Sequence, residues 1–206
     1  WHMVSKLLLA VDEVRQLAGE SDAEIRFRLE RHYREIREGL GVHKTPEWHG
    51  AIPLEPYSHT PSFAGAQQPG MTGQVKEDIL TRLSEMGLHV SDGQIAFRPW
   101  MVRHEDFLKE ARCFRFIDIE GQSRTLDLEP DSFAFTFGQV PMVVHRSGSP
   151  RIRVERRQRT ACEQEGLTLD PETSRAIFGR TGEVLRIDAW LGLPGTATST
   201  PHQEPA

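Results

Sequence analysis

Thr72-Gly73, directly ahead of a helical pattern, puts a hydroxyl and small, unobstructed backbone amides at a helix start. Such amides have no partner inside the helix and lie at the positive end of its dipole, which suits phosphate, sulfate or a carboxylate. Lys76 on the next turn adds a cation. The same residues also make an ordinary cap, with Thr72 closing the helix and Gly70 and Gly73 forming a turn. Glu55, Glu77 and Asp78 are carboxyls available for acid/base work, and cleavage of a glycosidic bond needs at least one able to give a proton. Glu77 is the candidate among them, although a first helical turn also suits Glu77 and Asp78 electrostatically. Tyr57 and Trp48 offer aromatic faces to a pyranose ring or anchors for the loop that carries them. His59, Gln67 and Gln68 supply hydrogen-bonding groups to the same loop. His43, His49 and His59 with Glu47 and Glu55 match no zinc spacing, so no metal is expected. Neither GxxxxGK[ST] nor GxGxxG occurs, which leaves nucleotide binding without support.

The elements around this loop follow from periodicity. Val4 to Leu17 places Leu8, Val11, Val14 and Leu17 on one helical face, with Leu7 beside them. After Gly19, Ser21-Asp22-Ala23-Glu24 matches a capping box and opens a helix carrying Ile25, Leu29, Tyr33, Ile36 and Leu40. The short link predicts an antiparallel hairpin. Residues 42–71 form the long polar loop, which costs conformational entropy and buries little, as a ligand wall does. A third helix spans about Gly73 to Met86, with Val75, Ile79, Leu83 and Met86 inward and Gly87 past its end.

The period then changes. Leu88 and Val90, the turn Ser91-Asp92-Gly93-Gln94, and Ile95 and Phe97 read as a hairpin. Further strands are predicted near 112–119, 123–129, 132–138, 140–146, 151–157 and 183–191. Phe133, Phe135 and Phe137 alternate onto one face. Asp170-Pro171-Glu172-Thr173-Ser174 starts a helical turn that ends near Phe178. The expected fold class is α+β: terminal helices over 1–87, an antiparallel β-sandwich or sheet over 88–192, and a disordered tail over 193–206.

Composition excludes several classes. The 206 residues carry a net charge of −5 with 37% hydrophobic and 27% charged residues, against a general nucleic-acid or anionic-membrane binder. Arg146, Arg151, Arg153, Arg156, Arg157 and Arg159 are the basic concentration, and Arg151 and Arg153 alternate with Ile152 and Val154 as a solvated strand face does. No apolar run approaches the roughly 18–20 residues of a membrane helix, and the expected location is cytoplasmic. Cys113 and Cys162 form no CxxC and read as free thiols. The chain opens on Trp1 straight into a helical pattern, so the expectation is the last portion of a longer protein.

Glu55-Pro56-Tyr57, a glycine-containing loop, and Thr72-Gly73 at a helix start, in that order, resemble the end of the catalytic barrel in the cellobiose and chitobiose phosphorylase family. Gly87-Leu88, Asp92-Gly93-Gln94-Ile95 and Pro99-Trp100 are similar to that family's passage into its C-terminal β-domain. The likeness covers roughly residues 47 to 105. It implies the end of an (α/α)6 barrel in which Thr72 and Gly73 hold inorganic phosphate as co-substrate. Tyr57, His59, Gln67, Gln68 and Lys76 would contact the sugar, and no organic cofactor is implied. The general acid, an aspartate in the family, would lie in an upstream barrel of the same parent chain, so the chain alone is expected to have no turnover. Gln74, Val75, Lys76, Glu77 and Asp78 depart from the small and aromatic residues that usually follow the turn, which leaves phosphorolysis and hydrolysis both open. A carbohydrate-binding module without chemistry, or a structural interaction domain, is the alternative.

Overall fold

Asp22 shows how local chemistry sets the helices. Its Oδ1 accepts from the backbone N–H groups of Glu24 at 2.9 Å and Ile25 at 3.1 Å, capping a helix that would otherwise begin with unpaired donors. The structure is a computed structural model that describes residues 2–19, 22–39 and 75–194, and it divides into two units between Met86 and Gly87. In the first, α1 (His2–Ala18) ends at Gly19 with φ +57°, and α2 (Ala23–Gly39) returns beside it. Helix α3 (Val75–Glu85) carries Glu77 and Asp78 in its first turn and Arg82 in its last, both favourable for the helix dipole. Lys6 meets Glu77, and Asp12 meets Ser84. The contacts advance together along both helices, so α1 and α3 run parallel.

The buried faces of these helices differ from the apolar stripes expected. On α1, Leu8, Asp12 and Arg15 are buried, while Leu7, Val14 and Leu17 are exposed, Leu17 by 86%. Tyr33 is buried on α2 and Ile25 is exposed. On α3 Glu77, Thr81 and Ser84 are buried, while Ile79 and Leu80 are exposed. The reason is pairing. Asp12 bonds Ser84, Arg15 bonds Glu30, and Tyr33 donates to Glu85, so hydrogen bonds and ion pairs specify these contacts.

The second unit begins with the hairpin β1 (Leu88–Ser91) and β2 (Gln94–Phe97), paired from Leu88↔Phe97 to Ser91↔Gln94. Asp92 at φ 51° and Gly93 at φ 75° form the turn, the left-handed pair that matches strand twist. A second hairpin joins β3 (Arg112–Ile117) to β4 (Ser123–Leu128). The main sheet has five strands in the order β5-β6-β9-β7-β8. They are β5 (Ser132–Phe137), β6 (Val140–His145), β7 (Arg151–Arg156), β8 (Cys162–Glu165) and β9 (Val184–Trp190).

The sheet is mixed rather than antiparallel throughout. Strands β6 and β9 pair in parallel, with Met142 opposite Ile187 and Val144 opposite Ala189, while β7 closes antiparallel on the other side of β9. A parallel pair needs a long crossover, here the chain from Arg146 to Glu183, which includes α4 (Pro171–Phe178). Asp170 caps α4 by accepting from Thr173 N–H, Pro171 occupies its first turn, and the helix runs to Phe178 as expected. One sheet face forms the core: Met142, Ile152, Val154, Ile187 and Ala189 are fully or almost fully buried. Phe133 stacks near Phe135, and Phe137 meets Phe178 of α4 edge-on. Gly138 turns β5 into β6 at φ +57°, and a Cβ there would lie 3.0 Å from the Ile177 carbonyl. Among the described residues no helix is long and apolar enough to cross a membrane.

Candidate functional site

Glu77, Thr81 and Ser84 recur at spacings of four and three, which stacks them on one face of α3. All three are about 3% exposed. Ser84 Oγ donates to Asp12 Oδ1 at 2.7 Å, and Gln16 Nε2 donates to Asp12 Oδ2 at 3.0 Å. Burial raises the Asp12 carboxyl above its ordinary value, against the pull of the Ser84 and Gln16 hydrogen bonds and of Arg15. Thr81 Oγ1 donates back to the Glu77 carbonyl at 2.9 Å and the Asp78 carbonyl at 3.1 Å. Glu77 Oε1 lies 3.6 Å from Lys6 Nζ, an ion pair beyond hydrogen-bonding distance. Among the described residues, Glu77 Oε2 is buried and has no hydrogen-bond partner.

The far end of the seam is closed by ionic groups. Tyr33 Oη donates to Glu85 Oε1 at 2.7 Å, and Arg37 and Arg82 also pair with Glu85. Burial, reinforced by the charge of Asp12, pushes the Tyr33 phenol above its usual range. Among the described residues of this seam, the Glu77 end is where a buried acceptor stands without a donor.

The residues singled out from sequence divide accordingly. Glu77 lies in the seam, whereas Lys76 is exposed and lies off the buried stripe. Tyr57, His59, Gln67, Gln68, Thr72 and Gly73 lie outside the described residues. Asp12, Thr81 and Ser84 escaped sequence reasoning. Their signal was a polar set at helical spacing, Asp12 in step with Leu8 and Arg15, and Thr81 and Ser84 in step with Glu77.

In the second unit most charged side chains are paired, although among the described residues Gln139 Oε1, Arg146 Nε and Arg186 Nε are buried without a hydrogen-bond partner. The register sets Ser132 opposite His145, beside Asp188, which invites a Ser-His-Asp reading. The geometry rejects it. Ser132 is fully buried with its hydroxyl given to the Glu129 carbonyl at 2.6 Å, and His145 spends Nε2 on Asp188 Oδ1 at 2.9 Å. His145 also stacks on Trp190 at 4.6 Å, and Arg151 lies over the same indole at 3.9 Å. Of the arginines expected on a solvated strand face, Arg153 is exposed and Arg151 half-buried, whereas Arg146 and Arg156 of the same basic concentration are buried. Arg146 bonds Asp131 and His104 Nδ1, and Arg156 bonds Glu183 and Thr173. An open cavity of about 700 Å³ beside Ile119 and Thr181 includes Arg157, bound to Glu120, and Arg159, which faces Glu172. Among the described residues no three His, Cys, Asp or Glu side chains converge on a metal position.

Asp188 yields a stability prediction. Burial alone would raise its carboxyl, but hydrogen bonds from His145 and Arg186, with the Arg186 charge, outweigh that and hold it below the ordinary 3.8. A carboxyl lowered by folding stabilises above its unfolded value, and that contribution is lost as pH falls through the folded value. Asp188→Asn is expected to cost about 1–3 kcal/mol at neutral pH and to flatten the loss of stability below pH 3.8. Urea unfolding across that pH range checks it.

Comparison with known proteins assigns no family: no protein-family model matches the sequence, and no curated protein does.

Proposed function

We propose that this chain supplies the closing helices and the C-terminal β-domain of a six-hairpin glycosidase-like enzyme, a glycoside phosphorylase or hydrolase. The seam between α1 and α3 forms part of one wall of its sugar site. The observation that carries the reading is Glu77: a carboxylate about 3% exposed, with Oε2 unpartnered, at the start of a helix. Gln139 Oε1 is another buried acceptor without a donor, but Glu77 is the carboxylate of the set and so gains most from one, and sugar hydroxyls are donors.

The apolar outer faces of α1 and α3 support the same reading, since Leu7, Val14, Leu17, Ile79 and Leu80 present the kind of surface that one helical hairpin offers to the next. In this reading Tyr57, His59, Gln67, Gln68 and Lys76 add sugar contacts. The second unit would be the C-terminal β-domain of that enzyme, and the general acid belongs to an upstream barrel of the parent chain. Cellobiose and N,N′-diacetylchitobiose, added in turn, test this. At least one is expected to raise the melting temperature of the full chain in a concentration-dependent way. No shift with either contradicts the reading. An unrelated domain upstream, in a chain that still binds sugar, would favour a carbohydrate-binding module.

A further inference from the structure

The surroundings of Glu77 specify what can bind there. A carboxylate only accepts hydrogen bonds, so Oε2 requires a donor. The neighbouring donors are committed: Thr81 Oγ1 to the Glu77 and Asp78 carbonyls, Ser84 Oγ to Asp12, and Gln16 Nε2 to the other Asp12 oxygen. Lys6 stands by Oε1 at 3.6 Å and is half-exposed, and Arg15 is bound to Glu30 of α2. Among the described residues the seam thus sets Asp12 and Glu77 beside Lys6 and Arg15, and Arg15 is shared with a third carboxylate, Glu30, so the cations are not in excess. An inorganic phosphate anion keeps a P–OH donor near neutral pH, but its one to two negative charges are repelled by a carboxylate pair that has no surplus of cations. A neutral sugar brings hydroxyl donors and no charge.

Resting on the carbohydrate reading above, we infer that Glu77 receives a hydroxyl of a neutral sugar, that phosphate is excluded from this wall, and that the parent reaction is hydrolysis. Water then adds across the glycosidic bond. Its oxygen bonds the anomeric carbon, the bond from that carbon to the leaving oxygen breaks, and the leaving oxygen ends with a proton, so no phosphate ester forms. Glu77 binds and orients the sugar; the proton donor lies elsewhere.

Isothermal titration calorimetry of the full chain at fixed ionic strength tests this, with cellobiose, N,N′-diacetylchitobiose and inorganic phosphate as separate titrants. The expected result is binding of at least one disaccharide, no binding of phosphate, and disaccharide binding weakened at least about tenfold in Glu77→Gln. Circular dichroism and melting temperature establish that the variant is folded. If it is not, the wild-type titrations decide alone: sugar without phosphate supports the inference. Phosphate binding by the wild type, or sugar binding unchanged in a folded Glu77→Gln, overturns the inference while the carbohydrate reading stands. Binding of none of the three overturns both.

Discussion

Ile187→Ala is expected to lower the stability of the β unit by about 2–5 kcal/mol. Ile187 is fully buried on β9, the strand held between β6 and β7, with Met142 and Val154 as its register partners. Truncation leaves a cavity among strands that pair on both sides and cannot close over it. Leu17→Ala, at a side chain 86% exposed, is expected to change stability by no more than about 0.5 kcal/mol. Amide hydrogen exchange in the full chain reads both variants. Loss of protection should appear across β6, β7 and β9 for Ile187→Ala and nowhere for Leu17→Ala. A large effect at Leu17 would mean that the apolar face of α1 is already covered.

Ser84→Ala should destabilise the helical unit by about 1–3 kcal/mol, because it removes the donor at 2.7 Å from Asp12 Oδ1 and leaves that oxygen buried. The same change pushes the Asp12 carboxyl further up. The sign for pH follows from its direction. Asp12 is raised by folding, so the native chain keeps its proton where the unfolded chain has lost it. Its contribution is most favourable below the ordinary 3.8 and declines as pH rises through the folded value. Against Asp12→Asn, the wild type should therefore lose relative stability as pH climbs from acid toward neutrality. Exchange protection in α1 and α3, measured for both proteins, checks the slope, and a relative gain over that range contradicts it.

Local chemistry made much of the fold legible. Asp92-Gly93 specified its hairpin through residues that tolerate left-handed φ, and Asp170-Pro171 announced α4 through a capping carboxylate and a preset φ. The alternation at Phe133, Phe135 and Phe137 marked β5 because one face of that strand is core. Long-range pairing was not legible. Nothing near Val140 or Val184 states that β6 and β9 run parallel, and the short edge strand Cys162–Glu165, with two of four residues charged, has no apolar alternation.

The candidate site divides in the same way. Glu77 stood out as a carboxyl in a first helical turn, but its burial depends on α1, distant in sequence. The polar seam of Asp12, Thr81 and Ser84 was hidden because apolar periodicity marks the inward face of a helix only where burial is driven by apolar contact. Here the apolar stripes Leu7-Val14-Leu17 and Ile79-Leu80 point outward. The loop residues Tyr57, His59, Gln67 and Gln68, with Thr72 and Gly73, lie beyond the described structure and rest on sequence alone.

Carboxyl-carbon NMR of the ¹³C-labelled full chain, titrated with cellobiose and then N,N′-diacetylchitobiose, addresses the role of Glu77 most directly. With at least one sugar, the Glu77 Cδ resonance should move together with the side-chain carbons of Thr81 and Ser84, while His145 and Asp188 in the β unit stay still. A Glu77 resonance that does not respond while the chain binds either sugar would show that the buried carboxylate is scaffold and that the sugar sits elsewhere.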